Sequence, residues 1–191
     1  RGYLDVRATI SPRVRFRFTP DARPTTDANL QSSLALHLAY ASLQVDVSPH
    51  ATVLVGMHET PWLTFEQSID RYRAQAPMVV ERRQLVPGET DLGASVRGTY
   101  GPAEVHVGIY NGEGYGRPEF DKYKSLQGRL TVRPFGADGA IGGLRLSGFY
   151  SHGWYAQDRP RRLALAMASY EGTYGVVTAQ VLQATDNPFV S

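Results

Sequence analysis

The segments of this chain that should form β-strands are separated by gaps that alternate between short and long. Ten segments have strand character: 2–10, 13–20, 31–47, 51–59, 91–100, 103–111, 124–134, 142–151, 162–171 and 175–185. The short gaps lie at 11–12, 48–50, 101–102, 135–141 and 172–174, and the long gaps at 21–30, 60–90, 112–123 and 152–161. An outer-membrane barrel alternates in this way, because short turns occupy one rim and longer loops the other. The pattern predicts an all-β, antiparallel, up-and-down transmembrane barrel of about ten strands. Residues 1–191 would be a single barrel domain or a fragment of one, and a soluble all-β domain is the alternative.

Composition narrows the possible classes. The chain has no apolar run of the ~18 residues that a membrane-spanning helix needs, whereas a barrel strand needs only ~9–11 residues of alternating polarity. It has no cysteine, which excludes disulfides and thiolate chemistry. The net charge of +2 is too small to suggest binding to nucleic acid. The eleven tyrosines suit the aromatic girdles of a membrane barrel.

The strands alternate between apolar and polar side chains at period two. In the second segment, Val14, Phe16 and Phe18 oppose three arginines. In the ninth, the apolar set is Leu163, Leu165 and Met167, opposite Arg162 and the small residues Ala164 and Ala166. A barrel would turn the apolar sets toward lipid and the polar sets toward water inside. The long segment 31–47 changes phase, which predicts a β-bulge near Ala41–Ser42.

Arginine dominates the face opposite the apolar residues. The predicted path for anions is formed by Arg7, Arg13, Arg15, Arg17, Arg97, Arg129, Arg133 and Arg145. Few strand acids oppose them, chiefly Asp5, Asp46 and Glu104. The low-dielectric wall of a barrel would focus the resulting positive potential. Because the planar guanidinium pairs with two oxygens at once, we expect a preference for small anionic solutes.

The gap at 60–90 is too long for an ordinary connection. It contains several aromatic and apolar residues that would otherwise be exposed, so we expect it to fold into the lumen and narrow it. A short helical turn is suggested at 64–72. The charged residues expected at the constriction are Glu66, Asp70, Arg71, Arg73, Arg82 and Arg83. The alternative is an extracellular loop whose charges face water.

Catalytic and cofactor motifs are weak. The five histidines lack metal-ligand spacing, and no serine lies in a GxSxG elbow. The glycine-rich run 111–116 is not followed by a helical pattern, so it is unlike a phosphate-binding turn. We therefore expect no enzymatic activity, no metal and no cofactor.

Several ordered motifs resemble the phosphate-selective porin O and P family of Gram-negative outer membranes. The run GMHETPWLTFEQSIDRYR at 56–73 is similar to a segment of that family. So are Asp91-Leu92-Gly93 with Gly98, the run 110–115, Gly128-Arg129-Leu130 with Arg133-Pro134, and Gly148-Phe149-Tyr150. The ordered motifs span about 56–150.

The resemblance implies a sixteen-stranded, usually trimeric barrel in contact with outer-membrane lipid, with anions passing arginines and lysines. This chain has only two lysines, Lys122 and Lys124, so anion preference is expected rather than phosphate specificity. It shows about ten strands and ends at 188–191 without a terminal aromatic strand, so we expect it to be the middle of a longer barrel.

Two other classes share these strand features. A soluble barrel that binds a ligand inside would turn Leu4, Val14, Phe16 and Leu130 inward and its arginines toward water. A non-conducting outer-membrane barrel that houses or anchors another protein would differ only in its plugged lumen.

Overall fold

The computed structural model describes residues 2–24, 33–70, 78–83, 85–86, 88–115, 122–136, 141–156 and 159–185. The strands are β1 (Gly2–Tyr3), β2 (Val6–Ser11), β3 (Val14–Pro24), β4 (Leu34–Ser48), β5 (Ala51–Glu59), β6 (Thr90–Tyr100), β7 (Ala103–Tyr110), β8 (Ser125–Val132), β9 (Leu144–Ala156), β10 (Arg159–Gly172) and β11 (Gly175–Thr185). Two short helices, α1 (Leu63–Ile69) and α2 (Val79–Arg82), lie between β5 and β6.

All the strands belong to one antiparallel sheet. From β3 onward each strand pairs with the next one in the chain, and both β1 and β2 pair with β3. Among the described residues the edge formed by β1 and β2 does not pair with β11, so the sheet is open there. The predicted all-β antiparallel arrangement is confirmed. The count is eleven strands, since the first predicted segment is interrupted at Leu4–Asp5.

The predicted long gap at 152–161 is wrong. β9 continues to Ala156 and β10 begins at Arg159, and these two residues are paired, so only 157–158 lie between the strands. The connection from β8 to β9, which was expected to be short, spans 133–143. Ser151, His152 and Gly153 interrupt the apolar alternation. The backbone ladder continues through them because it needs no apolar side chains.

The register gives the sheet two chemically distinct faces. Arg97 of β6 is paired with His106 of β7, which is paired with Arg129 of β8, so side chains of one kind stay aligned across strands. We call the face that carries these residues the polar face. Its buried members include Thr19, Asp21, Ser42, His58, Asp91, Ser95, His106, Ser125, Gln127, Arg129, Thr131, Ser147 and Ser169.

The opposite surface, which we call the apolar face, is exposed. Its large side chains include Leu4, Val6, Ile10, Phe18, Leu36, Leu43, Val55, Leu92, Val96, Val107, Ile109, Leu126, Leu130, Leu146, Tyr150 and Val181. From Leu92 to Tyr100 this surface runs along β6 for about 26 Å, at ~3.3 Å per residue. The burial is therefore opposite to that of an ordinary soluble sheet, whose apolar face packs inward.

A bulge in β4 keeps the two faces consistent. Thr19 is paired with Tyr40 and Pro20 with Leu38, so Ala39 is an extra residue. Leu38 and Leu43 then both lie on the apolar face, although their positions differ in parity. The predicted bulge is confirmed, two residues before the expected Ala41–Ser42.

The described part of 60–90 packs against the polar face. The Trp62 ring, just before α1, lies 5.5 Å from the Phe149 ring of β9. The apolar cluster comprises Trp62, Leu63, Ile69, Met78, Val80, Val86, Phe149, Leu163, Leu165 and Met167. Since α1 leaves from the end of β5 and reaches β9 and β10, the sheet curves around it.

This packing reverses the expected orientation of β10. Leu163, Leu165 and Met167 are buried against the helices, while Ala164 and Ala166 lie on the apolar face. In the middle of this strand neither face carries a charged residue, so the alternation alone does not indicate which face is exposed. The packing of Leu163, Leu165 and Met167 against α1 determines the orientation.

Two glycines allow one tyrosine to lie flat on the polar face. A Cβ atom at Gly108 would lie 2.8 Å from Cε2 of Tyr110 and 2.5 Å from Cβ of Ser95. A Cβ atom at Gly93 would lie 2.9 Å from Cδ1 of the same tyrosine. The ring of Tyr110 thus occupies the space that two side chains would otherwise fill.

Among the described residues, neither helix has the length and apolar character to cross a membrane.

Candidate functional site

The polar face brings the predicted arginines together with acids. Among the ion pairs of the described residues, seven of the eight arginines lie within 4 Å of a carboxylate. The expectation that few acids oppose them is wrong. Asp5, Asp46 and Glu104 were identified from their strand positions, whereas Glu59 and Glu171 were missed because they lie at strand ends.

Asp5 organises the first arginine cluster. Its carboxylate accepts hydrogen bonds from Nε of Arg7 at 2.8 Å, from Nε of Arg17 at 2.9 Å and from the hydroxyl of Thr19 at 2.5 Å. The guanidinium of Arg17 also lies 3.4 Å from the centre of the Tyr40 ring. Arg17 is therefore held on two sides, while the Arg7 side chain remains 68% exposed.

Asp46 organises the second cluster. Its Oδ1 accepts hydrogen bonds from Nη2 of Arg15 and from the Thr52 hydroxyl, both at 2.8 Å. The Arg15 side chain is 45% exposed. It can still present nitrogens to a solute, because one carboxylate oxygen occupies only part of the guanidinium fork. Neighbouring Arg13 is exposed on the turn between β2 and β3.

Arg129 of β8 is sequestered. Arg129 is 6% exposed and donates from Nη1 to the Thr131 hydroxyl at 2.6 Å. Its guanidinium lies 3.9 Å from the centre of the Phe65 ring in α1. Arg129 and Arg133 both pair with Glu104, at 3.7 and 3.6 Å. Arg129 therefore anchors α1 and cannot meet a passing solute.

Two further arginines reach acids near strand ends. Nη1 of Arg97 donates to Glu59 at 2.7 Å, and Nη2 of Arg145 donates to Glu171 at 2.9 Å. The Arg97 side chain is 41% exposed, whereas that of Arg145 is 14% exposed. Arg7, Arg13, Arg15 and Arg97 are thus the members of the predicted path that remain open to solvent.

The predicted constriction residues are only partly brought together. Arg71 and Arg73 lie outside the described residues. Arg82 and Arg83 are exposed at the end of α2. Asp70, the residue that follows α1, is half-buried. Glu66 is buried against β11. The described charges therefore do not form one ring. The contact between α1 and the arginines is made by an aromatic side chain, Phe65.

Glu66 fixes α1 to the far side of the sheet. Its Oε2 accepts a hydrogen bond from Nε1 of Trp62 at 2.6 Å, and its Oε1 accepts one from Nε2 of Gln180 at 2.5 Å. Burial raises the pKa of the Glu66 carboxyl above its ordinary value, although the hydrogen bonds from Gln180 and Trp62 act in the opposite direction. The protonated form is therefore favoured in the folded chain more than in water.

A buried hydrogen-bond network on β5, β6 and β7 was not among the sites predicted from the sequence. The hydroxyl of Ser95 lies 2.8 Å from Nε2 of His58 and 3.0 Å from Nε2 of His106. Nδ1 of His58 donates to the carbonyl of Gly56 at 2.8 Å, and the Tyr110 hydroxyl, 3.3 Å from His106, donates to the carbonyl of Glu59. Only the cross-strand register, which aligns positions 37 residues apart, assembles these side chains.

The network has no visible route to nucleophilic chemistry. Ser95 is 4% exposed and both imidazoles are similarly buried, so a substrate could not reach the hydroxyl. Among the described residues, no group of three or more histidines or acids could hold a metal ion. What the polar face offers is a curved surface of partly open arginines, of which Arg7, Arg15 and Arg97 are each paired with a carboxylate.

Comparison with known proteins adds no family to this description. No model of a known protein family matches the chain, and a search of curated proteins finds no match to it.

Proposed function

We propose that this chain forms the wall, or part of the wall, of an outer-membrane barrel in a Gram-negative bacterium that passes small solutes and favours anions. One observation carries the proposal: the apolar face is exposed while the opposite face buries arginine, histidine and serine. Lipid would cover such an apolar face favourably, whereas water would not. A homotrimer, which the family resemblance implies, belongs to the same proposal.

The exposed arginines support the preference for anions. The eight arginines of the predicted path face five partner carboxylates, a surplus of three positive charges. Arg7, Arg15 and Arg97 keep part of their guanidinium surface open, so they could exchange an anion with water. Binding at such half-open sites is weak enough to permit release, as conduction requires.

The proposal also requires every strand edge within the membrane to be paired. Unpaired backbone groups cost several kcal/mol each in hydrocarbon. The edge at β1 and β2 and the edge at β11 would therefore pair with further strands, closing the sheet around α1. This requirement agrees with the sixteen strands that the resemblance implies.

The experiment is single-channel recording of the intact protein in planar bilayers under a salt gradient. We expect discrete conductance steps and a reversal potential that favours anions. A reversal potential that favours cations would contradict the arginine path, and the absence of steps from correctly folded protein would contradict the channel.

The membrane assignment has its own test. Leu130→Arg places a charge on the apolar face and should cost ~2–4 kcal/mol if it lies near the bilayer midplane. Gln44→Arg, on the polar face beside Arg15, should cost less than 1 kcal/mol as a surface change. Unfolding in urea from lipid vesicles measures both. The reverse order would mean that the faces are assigned the wrong way round.

One observation favours a second candidate, a non-conducting barrel. The apolar cluster of α1 fills the concavity beside β9 and β10. A barrel plugged in this way would fold and insert normally but give no conductance. The soluble alternative has less support, because it required Leu4 and Leu130 to be buried and they are 63% and 49% exposed.

A further inference from the structure

The apolar face carries a shallow groove over the last five strands, β7 to β11. Gly148, Ala164 and Ala166 expose backbone there, and the taller side chains of Leu130, Tyr150 and Val181 stand around them. The groove has a volume of about 670 Å³, within the range of ligand sites in proteins. Its lining is almost wholly apolar, so an apolar chain fits it better than any polar ligand.

Polar and aromatic groups lie at one end of this groove. One step beyond Tyr150, along the same face of β9, come His152 and then Trp154. The imidazole of His152 is stacked 6.5 Å from the Tyr150 ring and meets the Trp154 ring edge-on at 4.3 Å. Tryptophan and tyrosine occupy the headgroup level of membranes, where one end of the ring is apolar and the other is wet. This end of the groove therefore matches a lipid–water boundary.

A positive charge stands at the same level. Arg162 of β10 is paired in register with His152, so its side chain leaves from the same face, one strand nearer the edge. It is exposed, and none of the ion pairs within the described ranges includes it. Nδ1 of His152 is buried and has no hydrogen-bond partner among the described protein atoms. Arg162 and His152 thus lie side by side on one face of the sheet, next to an apolar groove.

We propose that this groove is a lipid site: it takes one acyl chain of a membrane lipid, and Arg162 with His152 binds that lipid's phosphate. The inference rests on the proposed location in a membrane. The apolar groove and the cation of Arg162 follow one another along the face, in the same order as the acyl tail and the phosphate headgroup of a lipid. The cation adds an attraction to the phosphate, so this site would hold its lipid longer than apolar contact alone would.

Charge complementarity favours a lipid as the occupant of this groove. An apolar surface alone would accept a second copy of the chain equally well. A second copy would bring its own Arg162 to a symmetric contact, or an apolar surface without a counter-charge, and either would leave the guanidinium unpaired. A lipid phosphate supplies the missing negative charge and the hydrogen-bond acceptors.

The experiment is native mass spectrometry of the intact protein in detergent, with two probes that share dimyristoyl chains. Phosphatidic acid carries the phosphate and diacylglycerol lacks it. We expect a retained adduct with phosphatidic acid and little with diacylglycerol. Arg162→Gln should weaken the phosphatidic acid adduct about fivefold, as expected for loss of one cation beside an anionic headgroup. Arg161→Gln is the matched control, since Arg161 is adjacent in sequence but lies on the polar face.

A second variant tests the groove separately. Ala166→Leu fills its centre and should weaken the adduct while leaving Arg162 in place. Equal losses in the Arg161 and Arg162 variants, or an adduct indifferent to Ala166→Leu, would overturn the proposal. A stable dimer that Ala166→Leu dissolves would show that the face binds a second copy instead. If the folded protein is soluble without detergent, the membrane proposal fails too, whereas a detergent-dependent folded protein without the adduct refutes only this lipid site.

Discussion

The carboxylate of Glu66 in α1 accepts a hydrogen bond of 2.5 Å from the side-chain amide of Gln180 in β11. These residues are 114 positions apart, and the contact joins the helix that leaves β5 to the edge strand six strands away. It is the clearest sign that the sheet curves around the segment after β5. The strength of this contact can be measured.

Gln180→Ala should destabilise the folded chain by ~1–3 kcal/mol, because it leaves a buried carboxylate oxygen without its donor. Urea unfolding followed by Trp62 fluorescence, in a Trp154→Phe background, gives the free energy. Gln183→Ala is the matched control, since Gln183 is exposed on the other face of β11. Equal effects of the two substitutions would mean that the contact with Glu66 contributes nothing.

The same carboxyl predicts a dependence on pH. Its pKa is raised by burial, so between its ordinary value of 4.5 and its raised value the folded chain binds more protons than the unfolded chain. Stability therefore falls as the pH rises through that window, and is highest below it. Unfolding of wild type and Glu66→Gln should be compared across the acidic range. The variant should lose this component, so the difference in unfolding free energy between the two proteins should change with pH through this window. A difference that stays constant with pH would contradict the assignment.

The glycine beneath Tyr110 should resist substitution. Gly108→Ala would bring a Cβ atom to 2.5 Å from Cβ of Ser95, and we expect a loss of ~1–3 kcal/mol from overpacking. Gly128→Ala is the control on the next strand, where the nearest atom, on Val107, lies at 3.6 Å. Urea midpoints report both. A stable Gly108→Ala protein would show that Ser95 and the Tyr110 ring can both shift to make room.

Replacing Arg13, Arg15 and Arg17 together by glutamine should shift the reversal potential toward cations. The variant loses three positive charges and leaves Asp46 without Arg15 and Asp5 without Arg17, so this part of the polar face becomes less positive. The measurement is the reversal potential in a salt gradient. Arg162→Gln, on the apolar face, is the control. Unchanged selectivity in the triple variant would remove this strand from the conducting path.

The strands were predictable because their signal is local. Period-two alternation located nearly every strand, and the phase change in 31–47 predicted a bulge that the structure places at Ala39. The short helical turn expected at 64–72 corresponds to α1. Each of these features depends on neighbouring residues only, so a single sequence contains the information.

The pairing of side chains was not predictable, because it depends on register between distant strands. Glu171 reaches Arg145 and Glu59 reaches Arg97 only after the strands are aligned. The sequence therefore predicted a row of unpaired arginines, whereas in the structure most of these arginines form ion pairs with carboxylates. The side chain of Leu163 was also predicted on the outer face, because an alternation of leucine with alanine does not indicate which face packs against α1.

The buried network around Ser95 has a further consequence. Both ends of the chain of hydrogen bonds, at the carbonyls of Gly56 and Glu59, can only accept. With neutral imidazoles, the Ser95 hydroxyl must then donate to His58, and Nε2–H of His106 must point to Ser95 and Tyr110. Only one ordering of the hydrogens satisfies every partner. The donors therefore run in two directions from His106, one arm ending at Gly56 and the other at Glu59. This part of the polar face thus has one fixed set of donors and acceptors.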